Sequence, residues 1–274
     1  MELTWLECLI FGLISGFSEF LPLSSVAHQT IFMKLTGGGE APFLRFCGSL
    51  GCLVALLVVF VPALLRMRRE RMIAVIPKSR RRRQPDLDAL TQSRVLRMAG
   101  ISALVIFVAY SLVWNLYQRL WILAGAMVLN GIALFLPTYL PGANKGARSL
   151  SNLDAMIIGI FAGLGIIPGL SCVGCGIAAA RIRGADRRYA TDLALMIGIP
   201  VLVALSVIRF FGSVGATAWS ATTVLYGFTV LVASFGTGYL AIHLLRYLSV
   251  KTENVGFAYY CWGAALFTLL LYLI

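Results

Sequence analysis

Glu19, Ser24, Ser25 and His28 fall within ten residues of one another, in Glu19-Phe-Leu-Pro22-Leu-Ser24-Ser25-Val-Ala-His28, and they lie inside an apolar run. A carboxylate and an imidazole at this spacing are a candidate acid–base pair. Ser24 or Ser25 becomes a nucleophile once a base lies within reach. Glu19 is also the candidate ligand should a metal be used. A segment this polar is too costly to set against lipid. It must be buried in protein or line a cavity. A related stretch recurs 147 positions later, at Gly159-Ile-Phe-Ala-Gly163-Leu-Gly-Ile-Ile-Pro168-Gly169-Leu-Ser171-Cys172, where Gly12 falls on Gly159, Gly16 on Gly163 and Ser24 on Ser171.

Pro22 and Pro168-Gly169 interrupt both stretches, so each should break and restart as a helix inside the membrane. Such a restart points unpaired N–H groups inward, and helix starts hold phosphate well. Ser24, Ser25 and Ser171 add hydroxyl donors, and Gly169 lets a ligand approach the backbone. An anionic headgroup held by helix ends, with its apolar tail in lipid, describes a lipid phosphate. Blander readings stand beside this one. Glu19 can be a helix-packing hydrogen-bond partner, His28 an interfacial residue, and the serines simple caps.

The elements that must position these residues are membrane spans. The 274 residues are 59% hydrophobic and 12% charged, with a mean hydropathy of +0.88. That excludes a soluble domain and suits roughly six to nine spans of ~20 residues. With the first apolar segment at the very start of the sequence, no cleaved leader is expected. The net charge of +12 is read as topology and headgroup anchoring, Arg80–Arg83 included, and not as a nucleic-acid surface. The six cysteines read mostly as small buried residues; Cys172 and Cys175 form a lone CxxC with no partner pair for zinc.

In order, the chain reads as a first broken segment over 5–33, a glycine-rich turn from Lys34 to Pro42, and a span from Phe43 to Leu65. A basic loop follows from Arg66 to Arg97, then spans over Val95–Trp114 and Trp121–Leu140 and a loop from Pro141 to Asn152. The second broken segment covers 155–180. The last spans are Ala190–Phe211, Ala221–Leu248 and Val255–Ile274. The expected organisation is a single membrane domain over 1–274, with repeat 1 about 1–140 and repeat 2 about 150–274. If both broken segments enter and leave on one side, 19 of the 23 Lys and Arg residues lie on one face. If both cross, the split is 14 to 9. The positive-inside rule selects the first arrangement. The fold class is therefore an all-α polytopic membrane protein: six transmembrane helices plus two re-entrant helix pairs in an inverted-topology repeat.

Glu19-Phe-Leu-Pro-Leu-Ser-Ser-Val-Ala-His28 resembles the Glu-Phe-Leu-Pro-Val-Ser-Ser-Thr-Gly-His motif of the undecaprenyl pyrophosphate phosphatase family (BacA/UppP type). Ile167-Pro-Gly-Leu-Ser171 resembles the start of that family's Pro-Gly-x-Ser-Arg-Ser motif, and Ala190–Pro200 and Gly238–Ile242 also look like family segments. The resemblance covers nearly the whole chain. It implies hydrolysis of a polyprenyl diphosphate in recycling the carrier lipid of peptidoglycan synthesis, in the plasma membrane. It also implies a divalent cation, magnesium or calcium, if the chain is catalytic; a homodimer is a candidate assembly. The implied catalytic residues are Glu19, Ser25 and His28. The implied phosphate-binding residues are Ser24, Ser25, Gly169, Ser171 and Cys172. The chain departs from the pattern at Ser15, where the family has Glu, and at Cys172, where it has Arg. Val173, Gly176 and Val26 also stand in place of hydroxyl residues. These losses favour weak hydrolysis with retained phosphate binding, so the alternative is a degenerate member that binds or translocates undecaprenyl phosphate.

The charge asymmetry predicts both termini outside and the loops at Arg80–Arg83 and Arg181–Arg188 inside. Membrane-impermeant labelling of Ser79→Cys and Gly37→Cys checks this. The two are expected to react from opposite sides, and reaction from one side would end the re-entrant arrangement.

Overall fold

The computed structural model describes residues 3–39, 41–111, 119–140, 144–215, 217, 219–251 and 254–273. Ten α-helices account for most of these: α1 (Trp5–Phe20), α2 (Ser25–Thr36), α3 (Pro42–Val75), α4 (Leu87–Ser111), α5 (Leu120–Phe135), α6 (Asn152–Leu164), α7 (Cys172–Ile182), α8 (Arg187–Val214), α9 (Ala221–Lys251) and α10 (Val255–Leu273). Six of them, α3, α4, α5, α8, α9 and α10, are long and apolar enough to cross a membrane. α1, α2, α6 and α7 have 16, 12, 13 and 11 residues. At ~1.5 Å per residue none reaches across a ~30 Å hydrocarbon core. They pack as two pairs, α1 on α2 and α6 on α7. The chain is an all-α, multi-pass membrane protein.

The two pairs are built alike. α1 opens with a capping box between Thr4 and Glu7, and α6 with one between Ser151 and Asp154; the same 147-residue shift relates these positions. Such boxes satisfy two of the N–H groups a helix start leaves orphaned. The first helix of each pair then ends at a proline-containing turn, because proline cannot continue the hydrogen-bond ladder. α1 packs on α9 and α6 on α4, and the small residues that permit it also correspond. A Cβ at Gly16 would lie 2.3 Å from the Ser234 carbonyl oxygen, and one at Gly159 would lie 2.0 Å from that of Ala99. Gly12 meets Val230 and Ala233 of α9, and Gly163 meets Ala103 and Ile106 of α4, so both contacts are small-xxx-small seams. α3 packs on α8 and α5 on α10, as a two-fold relation between the halves requires.

The spans agree with expectation to within a few residues, with one correction. The basic loop from Arg66 to Arg97 is mostly helix: α3 runs on to Val75 and α4 starts at Leu87. Arg, Glu and Met are strong helix formers, so the helix continues into water. The link between them is pinned by Arg83 to Glu70 at 2.5 Å and by Arg66 to Asp86. The Arg66 guanidinium holds the Asp86 carboxyl below the usual carboxylate range. The expected ends at Trp114 and Ile274, and the loop start at Pro141, lie outside the described residues.

The basic segments meet at one end of the bundle. Arg148 pairs with Asp88 at 2.5 Å, Arg183 with Asp154 at 2.5 Å, and Arg246 with Asp192 at 2.8 Å. Arg94 donates to the Leu150 carbonyl at 3.0 Å, and the Lys145 amide to Gly184 at 3.0 Å. Lys145 and Ala185 form an isolated parallel bridge.

Filling a seam glycine should separate the paired helices. Gly16→Leu and Gly159→Leu are expected to destabilise by about 1–3 kcal/mol or more, the range for overpacking. Gly236, whose Cβ would meet nothing within 4 Å, is the control. Thermal unfolding in detergent should show loss for the first two and little change for Gly236→Leu.

Candidate active site between the two broken segments

The α1–α2 turn and the α6–α7 turn meet in the interior and lock together. Ser24 takes φ +71°, the one positive-φ residue other than glycine among the described residues. A side chain there costs of order 1–3 kcal/mol and is held only by its surroundings. What holds it is the opposite turn: the Gly169 amide donates to Ser24 Oγ at 3.1 Å. Ser24 therefore does not cap its own helix, and α2 starts without a side-chain cap. Gly169 has φ +99°, and a Cβ on it would lie 2.6 Å from Ala126 Cβ and from the Leu123 carbonyl oxygen of α5. Its glycine is required by packing and backbone shape. Ser171 caps α7, accepting from the Gly174 amide at 3.1 Å.

A second lock comes from α5. Asn130, fully buried, donates through Nδ2 to the Pro22 carbonyl at 2.9 Å and accepts at Oδ1 from the Ser171 amide at 3.0 Å. One amide side chain thus satisfies one backbone group from each turn. Sequence reading missed Asn130, although an amide inside an apolar span is the signal that marks such a bridge.

Below the lock is a cavity of about 40 Å³. Its polar end is Glu19, Ser24, Ser25, Ser171 and Cys172; its apolar wall includes Phe107, Leu170, Val201 and Leu205. Ser25 Oγ donates to Glu19 Oε2. The start of α2 and the start of α7 both border this space, and helix starts favour anions. Glu19, Ser24, Ser25, Ser171 and Cys172 are therefore brought together.

His28 is not. Its Nδ1 lies 2.8 Å from the Ser24 carbonyl and its Nε2 2.8 Å from Tyr260 Oη, and the ring stacks on Tyr260 at 5.7 Å. A carbonyl only accepts, so Nδ1 carries the proton and the Tyr260 hydroxyl donates to Nε2 of the neutral ring. His28 reaches back over its own first turn and away from the cavity lining, where it braces Ser24 and α10. Among the described residues no three His, Cys, Asp or Glu side chains gather as metal ligands. Glu19 is a single carboxylate already engaged by Ser25. A divalent ion held there would take its remaining oxygen donors from water and a substrate phosphate. Cys172 and Cys175 are free thiols.

Replacing Asn130 by Leu should strand the Ser171 N–H and the Pro22 carbonyl. At ~1–3 kcal/mol per unsatisfied buried group, the loss should be roughly 2–6 kcal/mol. Thermal unfolding of Asn130→Leu measures it, and an unchanged transition would show that the turns are held by other means.

Comparison with known proteins agrees with this architecture. The family model described as bacitracin resistance protein BacA matches residues 8–267. The chain is 30% identical over 268 residues to an undecaprenyl-diphosphatase of Desulfatibacillum aliphaticivorans, covering 94% of this chain and 95% of that protein. It is 29% identical over 265 residues to one from Methanobrevibacter smithii, covering 94% of each. A third, from Nocardioides sp., is 28% identical over 255 residues, covering 90% of this chain and 89% of the other.

Proposed function

The chain belongs to the BacA family, and on that premise we propose that it hydrolyses a polyprenyl diphosphate of the undecaprenyl kind to the monophosphate. The setting is the plasma membrane, in carrier-lipid recycling for peptidoglycan synthesis. The observation that carries the reading is the hydrogen bond from Ser25 to Glu19 in a cavity with one polar end and one apolar wall. A nucleophile beside a base is the required pairing. Two uncrossed half-helices, with repeats about 1–140 and 150–274, would open this cavity toward the outer face.

In the reaction Ser25 Oγ attacks the terminal phosphorus and Glu19 takes its proton. The bond from phosphorus to the bridging oxygen breaks, and its electron pair leaves with the lipid monophosphate. Glu19 hands that proton to the departing lipid phosphate. Water then attacks the phosphoserine and gives a proton to Glu19; the bond from phosphorus to Ser25 Oγ breaks, Oγ takes the proton back from Glu19, and inorganic phosphate leaves. The starts of α2 and α7, with Ser24, Ser171 and Cys172, hold the phosphate oxygens. His28 acts on Ser24 from behind and does not attack.

A second reading, binding or translocation of a lipid monophosphate without cleavage, is favoured by Cys172. It stands where the family carries a guanidinium, and a thiol brings no positive charge. Phosphate release in proteoliposomes separates the two. The native chain should release phosphate, and Ser25→Ala and Glu19→Gln should each fall by about 10²–10³, the usual loss for a transition-state group. Binding of the monophosphate with no release by the native chain would overturn hydrolysis in favour of the second reading.

A further inference from the structure

Three helices climb from the cavity toward the outer face by one turn each, and every one arrives at a polar side chain. On α1 the step runs from Glu19 to Ser15, on α2 from Ser25 to Gln29, and on α8 from Leu205 to Arg209. Four residues of helix rise ~6 Å. At that level Gln29 Nε2 donates to Ser15 Oγ at 3.0 Å, Arg45 Nη1 donates to Gln29 Oε1 at 3.4 Å, and Arg209 Nη1 donates to the Arg45 carbonyl at 3.2 Å. Ser15 and Gln29 are 1% exposed and Arg209 is 8% exposed.

A buried guanidinium inside a bundle is expensive, and such groups mark ligand sites in membrane proteins. Ser15, where the family has a carboxylate, leaves this tier without a negative charge at that position. The tier lies one helical turn from Cys172's site, where the family carries an arginine.

We propose that Arg45 and Arg209, seated on Gln29 and Ser15, form a second phosphate-binding tier one helical turn outward of Ser25. This rests on the diphosphatase reading above. The tier takes the phosphate bonded to the isoprenoid, while the cavity at Ser25 takes the terminal one. The lipid-linked phosphate is the leaving group, so charge grows on it as the bridging bond breaks. Guanidinium groups answer that charge with charge-assisted hydrogen bonds. The positive charge missing at position 172 is supplied from α3 and α8.

The test compares the native chain with Arg209→Gln, Arg209→Lys, Arg45→Gln and Ser25→Ala, each first shown to be monodisperse and folded by thermal unfolding. The probes are farnesyl diphosphate and farnesyl phosphate, read by binding, and phosphate release from the diphosphate. Arg209→Gln and Arg45→Gln should each weaken binding of the diphosphate, and of the monophosphate whose one phosphate is the lipid-linked one, by about tenfold or more, and should lower release by ~10². Arg209→Lys should recover part of the release. Arg45, nearer the surface, keeps the test open if Arg209→Gln fails to fold. Native-like diphosphate binding in both Gln variants, with release still abolished by Ser25→Ala, would overturn the second tier and leave the catalytic reading intact. Failure of the native chain to bind either probe would overturn both.

Discussion

The structure depends on the contact between two backbone turns inside a membrane. Each turn is a place where helix hydrogen bonding stops, and in hydrocarbon an unsatisfied backbone group costs several kcal/mol. The two turns answer each other: Gly169 N–H goes to Ser24 Oγ, and Asn130 serves Pro22 and Ser171 together. The positive φ of Ser24 and the glycine at 169 follow from this meeting. So does the free start of α2, because the hydroxyl that would have capped it is used across the interface. The lock and the candidate anion site have one origin.

Around this contact, small residues set the distances. Gly12 and Gly16 bring α1 against α9, and Gly159 and Gly163 bring α6 against α4. The matching capping boxes fix where each pair begins. The basic ends gather on one side through ion pairs that include Arg183 with Asp154 and Arg148 with Asp88. These leave the opposite side to the Ser15–Gln29–Arg45–Arg209 tier. Polar groups in this bundle therefore divide into an anchoring set at the basic end and a set in line with the cavity.

Much of this was legible in the sequence. Hydropathy and the charge asymmetry give six spans and two shorter pairs, and the 147-residue shift marks both broken segments. The convergence of Glu19, Ser24, Ser25, Ser171 and Cys172 follows from that repeat. Four features were not readable. The rotation of His28 toward Tyr260 depends on a partner more than two hundred residues away. Asn130 gave a signal, an amide in a span, but its two partners are backbone groups that sequence does not display. Arg209 is one of the four Lys and Arg residues left on the other face by the charge count, and its burial within a helix end is set by α3 packing against α8. The helical continuation to Val75 was hidden by counting arginines as loop when they are also good helix formers.

The account stands on one site formed by both turns. An experimental structure with a non-hydrolysable isoprenoid diphosphate bound measures that directly. The account predicts the terminal phosphate between Ser25 Oγ and the start of α7, with the second phosphate toward Arg209. Diphosphate bound instead at the basic end, in the small cavity lined by Arg181, Arg187 and Ser249, with Ser25 and Ser171 making no contact to it, would contradict it.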